Sequence, residues 1–192
     1  MLLLLCNRSI KKNGAFCCSG IVFLLVLLLF MSSGCTKKED APSILQRQGW
    51  VSDYADVLNP EEKIRISHTL ETYEKETCHQ VYLLIIPALG GGNIADFSTR
   101  TASAWEIGQP GFGNGLLVTI ALQEGAVRFE AASAFEWFIQ DGTADKILKE
   151  VMVPLFRENR LVEGIERGLE EIMVAGRLKE IPDDHKPAIC RQ

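Results

Sequence analysis

The chain has 192 residues, 47% of them hydrophobic and 23% charged, with a formal net charge of −5; at about 100–200 residues per domain this allows one ordinary domain. The apolar fraction excludes a disordered chain, and six cysteines in that length are too few for a disulfide scaffold. The charge is unevenly spread. Residues 1–34 hold Arg8, Lys11 and Lys12 and no carboxylate, so removing three of the 20 bases and none of the 25 acids leaves −8 on the remainder. A domain that acidic is a poor nucleic-acid binder, because each phosphate contact needs a Lys or Arg to displace counterions.

Along the chain, the first feature is the unbroken apolar run from Ile21 to Met31, behind a basic flank. A membrane-spanning helix needs roughly 20 such residues and a secretory signal core about 7–15, so the run reads as an export signal. Ser32-Ser33-Gly34-Cys35 follows and resembles a bacterial lipobox, in which the cysteine is diacylated and becomes the new N-terminus. The pattern usually has Leu three positions before the cysteine; here Ser32 stands there and the apolar residue is Met31. An uncleaved signal anchor is the alternative. In both cases the domain is exported and anchored on the outer side of the cytoplasmic membrane or at the outer membrane. We therefore expect a signal peptide over 1–34, a lipid anchor at Cys35, a polar tether over 35–48, a folded domain over 49–178 and a polar C-terminal tail over 179–192.

Cys78 and Cys190 remain after the signal and the anchor are set aside, and an exported context permits a disulfide between them. Cys78 and His79 are sequence neighbours that cannot chelate one metal from a single helix face, so a zinc site is disfavoured.

Val51–Leu58 reads as extended and turn-like. Asn59, Pro60 and Glu62 then form a helix start, with a capping box and proline at the first helical position. Ile66, Leu70 and Tyr73 give this helix a buried face, and it ends near Cys78. Val81–Pro87 is apolar throughout, as in a parallel strand buried on both faces. Gly90-Gly91-Gly92 breaks the chain, a helix is predicted from about Ile94 to Ile107, and Gly115–Leu122 is a second buried strand. Two such strands joined by a helix form a βαβ unit, for which a right-handed crossover is the rule. Gln123-Glu124-Gly125 turns into Val127–Glu130, whose alternation predicts an antiparallel edge strand. Helices are predicted over about 135–139, 144–156 and 161–178. The sum is one α/β domain.

Chemistry-bearing motifs are sparse. Gly90–Gly92 lies where a phosphate-binding turn would, between strand and helix, but lacks the Lys-Ser/Thr of a P-loop and the spaced third glycine of a dinucleotide fingerprint. It reads as a flexible connection. There is no Gly-x-Ser-x-Gly elbow, and His68, His79 and His185 offer no convincing Ser-His-Asp set. Asp53, Asp56, Asn114 and Asp141 place oxygens in loops or at element ends, the ligand type a hard cation such as calcium takes, against the plainer reading of solvated turn formers.

Several segments in order resemble the TPM domain family of thylakoid-lumen, photosystem II repair, receptor-modulator and bacterial envelope proteins. They are Val51-x-Asp53-x-Ala55-x-x-Leu58, Gln80-Val81-Tyr82-Leu83, Trp105-x-Ile107-Gly108 and Asn114-Gly115-Leu116-Leu117, followed by Val127-Arg128-Phe129-Glu130, Phe135-Glu136 ahead of Asp141, Pro154-x-Phe156-Arg157 and Gly164-Ile165. The series covers roughly residues 50–175. The resemblance implies a three-layer α/β/α sandwich around a small, mostly parallel sheet with an antiparallel edge strand. It also implies divalent-cation binding, calcium being the expected ion, and an acid phosphatase activity known in some plant members. Carried over, the candidate metal ligands are Asp53, Asn114 and Asp141, with Arg128 and Glu136 as neighbouring ligand-binding residues. One departure stands out: the family has Gly-x-Gly after the Arg-x-Glu strand where this chain has Ala132-Ser133-Ala134. If those glycines take positive φ, alanine strains the loop by about 1–2 kcal/mol.

The leading expectation is a membrane-tethered envelope protein of TPM type with a binding or scaffolding role, held by its lipid anchor, binding calcium and contacting an envelope protein partner. Trp50, Trp137 or Phe138 would be the contact. The rival is an acid phosphatase with Asp53 or Asp141 as nucleophile or general acid and Arg128 clamping the phosphate.

Overall fold

The computed structural model describes residues 43–139 and 142–177, all within one compact unit, Glu39–Gln192. The elements in order are β1 (Val51–Asp53), α1 (Pro60–Thr77), β2 (Gln80–Ile86), α2 (Ile94–Ala104), β3 (Gly115–Ala121), β4 (Ala126–Ala131), α3 (Ser133–Phe138), α4 (Thr143–Ile147), a π-helical turn (Leu148–Met152), α5 (Val153–Arg157) and α6 (Leu161–Arg177). They build a four-stranded sheet in the order β1-β2-β3-β4, parallel except for the antiparallel β4 at one edge. This is the predicted α/β sandwich with its antiparallel edge strand. The short β1, read from sequence only as extended, is the fourth strand.

The two faces of the sheet carry separate cores. Val81, Leu83, Ile85, Leu116, Val118 and Ile120 point to one side and pack against Ile66, Leu70 and Tyr73 of α1 and against α6. Tyr82, Leu84, Ile86 and Leu117 point to the other and meet Phe97 and Trp105 on the α2 side. The alternation explains why β2 and β3 are apolar at nearly every position: both faces are covered. It also has a topological consequence. The strand order advances in one direction from β1 to β3, yet α1 and α2 cover opposite faces, so the two βαβ crossovers have opposite hands. One of them is left-handed, against the strong general preference.

Local chemistry sets the element ends. The Asn59 side chain accepts from the Glu62 N–H at 2.8 Å while Glu62 accepts from the Asn59 N–H at 2.8 Å, completing the capping box. At the other end of α1, Cys78 takes the left-handed conformation at φ 62° and is disulfide-bonded, its partner lying outside the described residues. The helix predicted over 144–156 is interrupted. Pro154 lacks an N–H and its ring crowds the preceding turn, and just ahead of it the Val153 N–H reaches back five residues to the Leu148 carbonyl. Along α6, Ile165, Leu169, Ile172 and Met173 are buried along one stripe. Gly168 lets Met152 approach so closely that an added Cβ would lie 2.5 Å from its sulfur.

The last part of the predicted tether is docked on the domain. The Trp105 indole N–H donates to the Leu45 carbonyl at 2.7 Å, the Gln48 N–H donates to the Ser52 hydroxyl at 2.9 Å, and the Arg47 guanidinium lies 5.1 Å from the Tyr82 ring centroid. Trp50 stacks on Tyr82 at 5.0 Å between ring centroids. Residues 44–48 are thus a strap across the α2 side.

Candidate functional site

Asp53 ends β1 and is 7% exposed. Its Oδ1 accepts the Ala55 N–H at 3.0 Å, and its Oδ2 accepts the Val57 and Leu58 N–H groups at 3.0 and 2.9 Å. The carboxylate therefore organises the turn from β1 to the cap of α1, in which Asp56 takes a positive φ of 52°. Three charge-assisted bonds occupy both oxygens, the pattern of an acceptor that closes a loop.

Asn114 is 1% exposed at the start of β3. Its amide donates to the Cys78 carbonyl and its Oδ1 accepts the Gln109 N–H at 2.8 Å. Its backbone carbonyl accepts the Gln80 N–H at 2.9 Å, and the Gln80 side chain in turn accepts from the Gly108 N–H at 3.1 Å and donates to Glu74 at 2.7 Å. This lock joins the end of α1, the start of β2 and the loop before β3.

The sheet register separates these two residues. Asp53 pairs with Ile85, which pairs with Ile120, whereas Asn114 directly precedes Gly115, the partner of Gln80. Six residue steps at ~3.3 Å each, from Ile120 back to Asn114, put them about 20 Å apart along the strands, at opposite ends of the sheet. They do not fit one calcium ion, whose oxygen ligands lie at ~2.3–2.6 Å. Among the described residues no three His, Cys, Asp or Glu side chains gather closely enough to hold a metal. Asp141 and Cys35 lie outside the described residues, as do the side chains of Trp137 and Phe138. Trp50 is half-buried in its stack on Tyr82.

Arg128 lies on the opposite edge strand from Asp53. It forms hydrogen bonds with Glu130 at 3.0 and 3.1 Å, and Glu130 also accepts from the Thr99 hydroxyl of α2 at 2.9 Å. The pair thus faces the α2 side, whereas Asp53 lies on the face of Val51, toward α1. Three strand spacings of ~4.8 Å and the thickness of the sheet intervene, so Arg128 and Asp53 do not converge on one phosphoryl group. Glu136 is exposed on α3, whose Phe135 belongs to the α1 side. Glu130, two residues from Arg128 and therefore on the same strand face, is the true partner of the arginine. That spacing was readable in the sequence.

The expected strain at Ala132 and Ala134 is absent. Ala132 is extended at φ −75° and ψ 159° as the N-cap of α3, and Ala134 lies within that helix. Ala132 has no side chain to cap with, and the Gly113 carbonyl does so instead, accepting the Ala134 and Phe135 N–H groups at 3.0 and 3.1 Å.

His79 is a buried histidine with a strongly shifted pKa. It is 1% exposed, set edge-on to Phe135 at 5.3 Å and near the Tyr73 ring at 6.1 Å. Burial disfavours its charged form and pulls its pKa down to about 4. Burial likewise raises Tyr73 to about 12. His68 is exposed.

A family model described as TPM domain matches residues 51–175. No curated protein sequence matches the chain. Among solved structures, the N-terminal domain of a protein from P. gingivalis is 25% identical with a TM-score of 0.64, over 74% of this chain and 93% of that one. BA42 protein from the psychrophilic bacterium Bizionia argentinensis is 15% identical with a TM-score of 0.59, over 70% and 92%. The N-terminal domain of cg2496 protein from Corynebacterium glutamicum is 14% identical with a TM-score of 0.53, over 71% and 85%. The last two show the shared fold alone. The family match spans well over half of the chain, with its ends at β1 and α6, and the chain belongs to the TPM domain family.

Proposed function

We propose that this is an exported TPM-domain protein, tethered by lipid on Cys35 to the outer side of a bacterial envelope membrane, that works by binding or scaffolding an envelope partner. The observation that favours this reading over a hydrolase using Asp53 is the commitment of that carboxylate: both of its oxygens are used by the turn at 55–58. Export is supported by the disulfide at Cys78, a bond that persists in oxidising compartments. No described helix is long and apolar enough to cross a membrane, so the tether in this reading is the N-terminal segment. Labelling of the full chain by a fatty-acid probe, abolished by Cys35→Ser, tests the anchor; undiminished labelling in the variant removes it. Cross-linking in intact cells tests the partner.

The phosphatase reading needs a carboxylate and a cation within hydrogen-bond reach of one phosphoryl group. Of the two carboxylates predicted for it, Asp53 is tied into the turn after β1 and Asp141 lies outside the described residues. Turnover of a chromogenic phosphate monoester that is lost in Asp141→Asn would overturn the binding reading. The same residue decides the calcium expectation: a calorimetric calcium signal lost in Asp141→Asn and kept in Asp53→Asn would place a cation there.

A further inference from the structure

We propose that β4 is a self-association edge, pairing antiparallel with β4 of a second copy of this chain across a two-fold axis centred on Phe129. This goes beyond the proposed function and does not depend on it. Among the described residues β4 is paired on one side only, by β3. The ladder identifies which backbone groups are left over. The Ala132 N–H donates to the Gly115 carbonyl at 2.8 Å, and the register continues without a break through Glu130 opposite Leu117, Arg128 opposite Thr119 and Ala126 opposite Ala121. Residues on an antiparallel strand alternate in which side their N–H and C=O address, so Val127, Phe129 and Ala131 direct theirs outward. The edge has no proline, no lysine and no bulge, the devices that usually block strand addition.

The side chains are self-complementary in one register. With Phe129 opposite its own copy as a hydrogen-bonded pair, Arg128 lies across from Glu130 of the second copy and Glu130 across from its Arg128. Two opposite-charge pairs result on the α2 side. On the other face Val127 meets Ala131 twice and the two Phe129 rings meet at the axis. A shift by two residues either way about the axis loses the charge pairing. The neighbouring surface also permits the approach. Ala95, Thr99 and Ser103, at i, i+4 and i+8, line the flank of α2 on the side where Thr99 meets Glu130. A shallow cleft of about 170 Å³ lies there between α2 and β4, bordered by Ala102 and Ala132. Small residues on that flank leave room for the second copy's α2.

The test uses the full chain in mild detergent, with sedimentation equilibrium as readout. Arg128→Glu and Glu130→Arg, each alone, place like charges opposite one another and are expected to weaken dimerisation about tenfold or more. The two reversals combined in one chain, or the two single variants mixed, restore it. In parallel, oxidised Phe129→Cys gives a dimer cross-link that mass spectrometry maps to position 129 of both copies. Association that ignores the charge reversals, a chain still monomeric at about 100 μM, or a Phe129→Cys protein that forms no cross-link at that position overturns the proposal. Arg128 is exposed, so Arg128→Glu remains informative should Phe129→Cys not fold.

Discussion

Replacing Asp53 by alanine should destabilise the domain while leaving no functional signature of its own. The substitution removes the acceptor for the three N–H groups of Ala55, Val57 and Leu58, bound at 2.9 to 3.0 Å. A hydrogen bond to a charged group is worth ~1.5–3 kcal/mol. The turn is only partly buried, so water recovers some of the loss, and a total of roughly 3–5 kcal/mol is expected. Asp53→Asn keeps one oxygen; turned to the Oδ2 position it retains two of the three bonds in weaker, uncharged form, for a loss of roughly 2 kcal/mol. For a domain of this size the alanine variant should melt about 10–20 °C lower. Urea unfolding followed by far-UV circular dichroism gives the difference directly, with an unchanged m-value marking an intact folded state. A variant within about 0.5 kcal/mol of wild type would refute the reasoning, since that is the range of surface changes touching nothing. Loss of a calcium or substrate signal at unchanged stability would assign Asp53 to function instead.

Three further outcomes follow from the same structure. Burial holds His79 at a pKa of about 4 in the fold against an unfolded value of about 6.5. The unfolded chain therefore binds the extra proton first: stability is complete above pH 6.5, falls as the pH drops, and has lost roughly 3 kcal/mol by pH 4. Unfolding curves between pH 7 and 4 should show that slope, and His79→Phe should flatten it. Gly115→Ala would put a Cβ 2.4 Å from the Gly108 nitrogen and 2.7 Å from the Ile107 carbonyl carbon; rigid backbone cannot yield, so a loss above ~3 kcal/mol or failure to fold is expected, read by soluble yield and melting. Trp105→Phe removes the indole donor to Leu45, costing about 1 kcal/mol, and should make residues 44–48 cleave faster under limited proteolysis with the core intact.

The sheet and its helices were legible because their signals are local. Capping at Asn59, the α1 face of Ile66, Leu70 and Tyr73, and the continuous apolar runs of β2 and β3 each follow from short-range spacing and two-sided burial. The edge position of β4 showed in its alternation. What escaped depends on partners distant in sequence. Residues 44–48 read as polar tether, and their docking rests on Trp105 and Tyr82, respectively about 60 and 35 positions further on. The opposite hands of the two crossovers depend on which face each helix covers, and periodicity does not encode that. The separation of Asp53 from Asn114 was hidden for a related reason: loop carboxylates and amides look alike in sequence whether they point at a ligand or close their own turn.

The positions that identify the family in this chain are joints, and they meet one another. Leu58 donates its N–H to Asp53 across the first motif. Gly115 is forced by Ile107 and Gly108, an added Cβ falling 2.5 Å from the Ile107 Cγ2, so the Trp105-x-Ile107-Gly108 and Asn114-Gly115 motifs are two sides of one contact. Gly164 is forced by Phe156, whose ring an added Cβ would approach to 2.6 Å, which ties the last two motifs together. Gln80 binds Asn114 backbone to backbone and holds Gly108 with its side chain. Residues that solve backbone problems can recur wherever the fold does, whatever the domain binds. Family membership here therefore carries the architecture, and activity has to be sought where the joints leave side chains over. Arg128 and Glu130 are such a place: they sit in a family-matching strand, yet among the described residues their side chains bond only to each other and to Thr99, at a sheet edge.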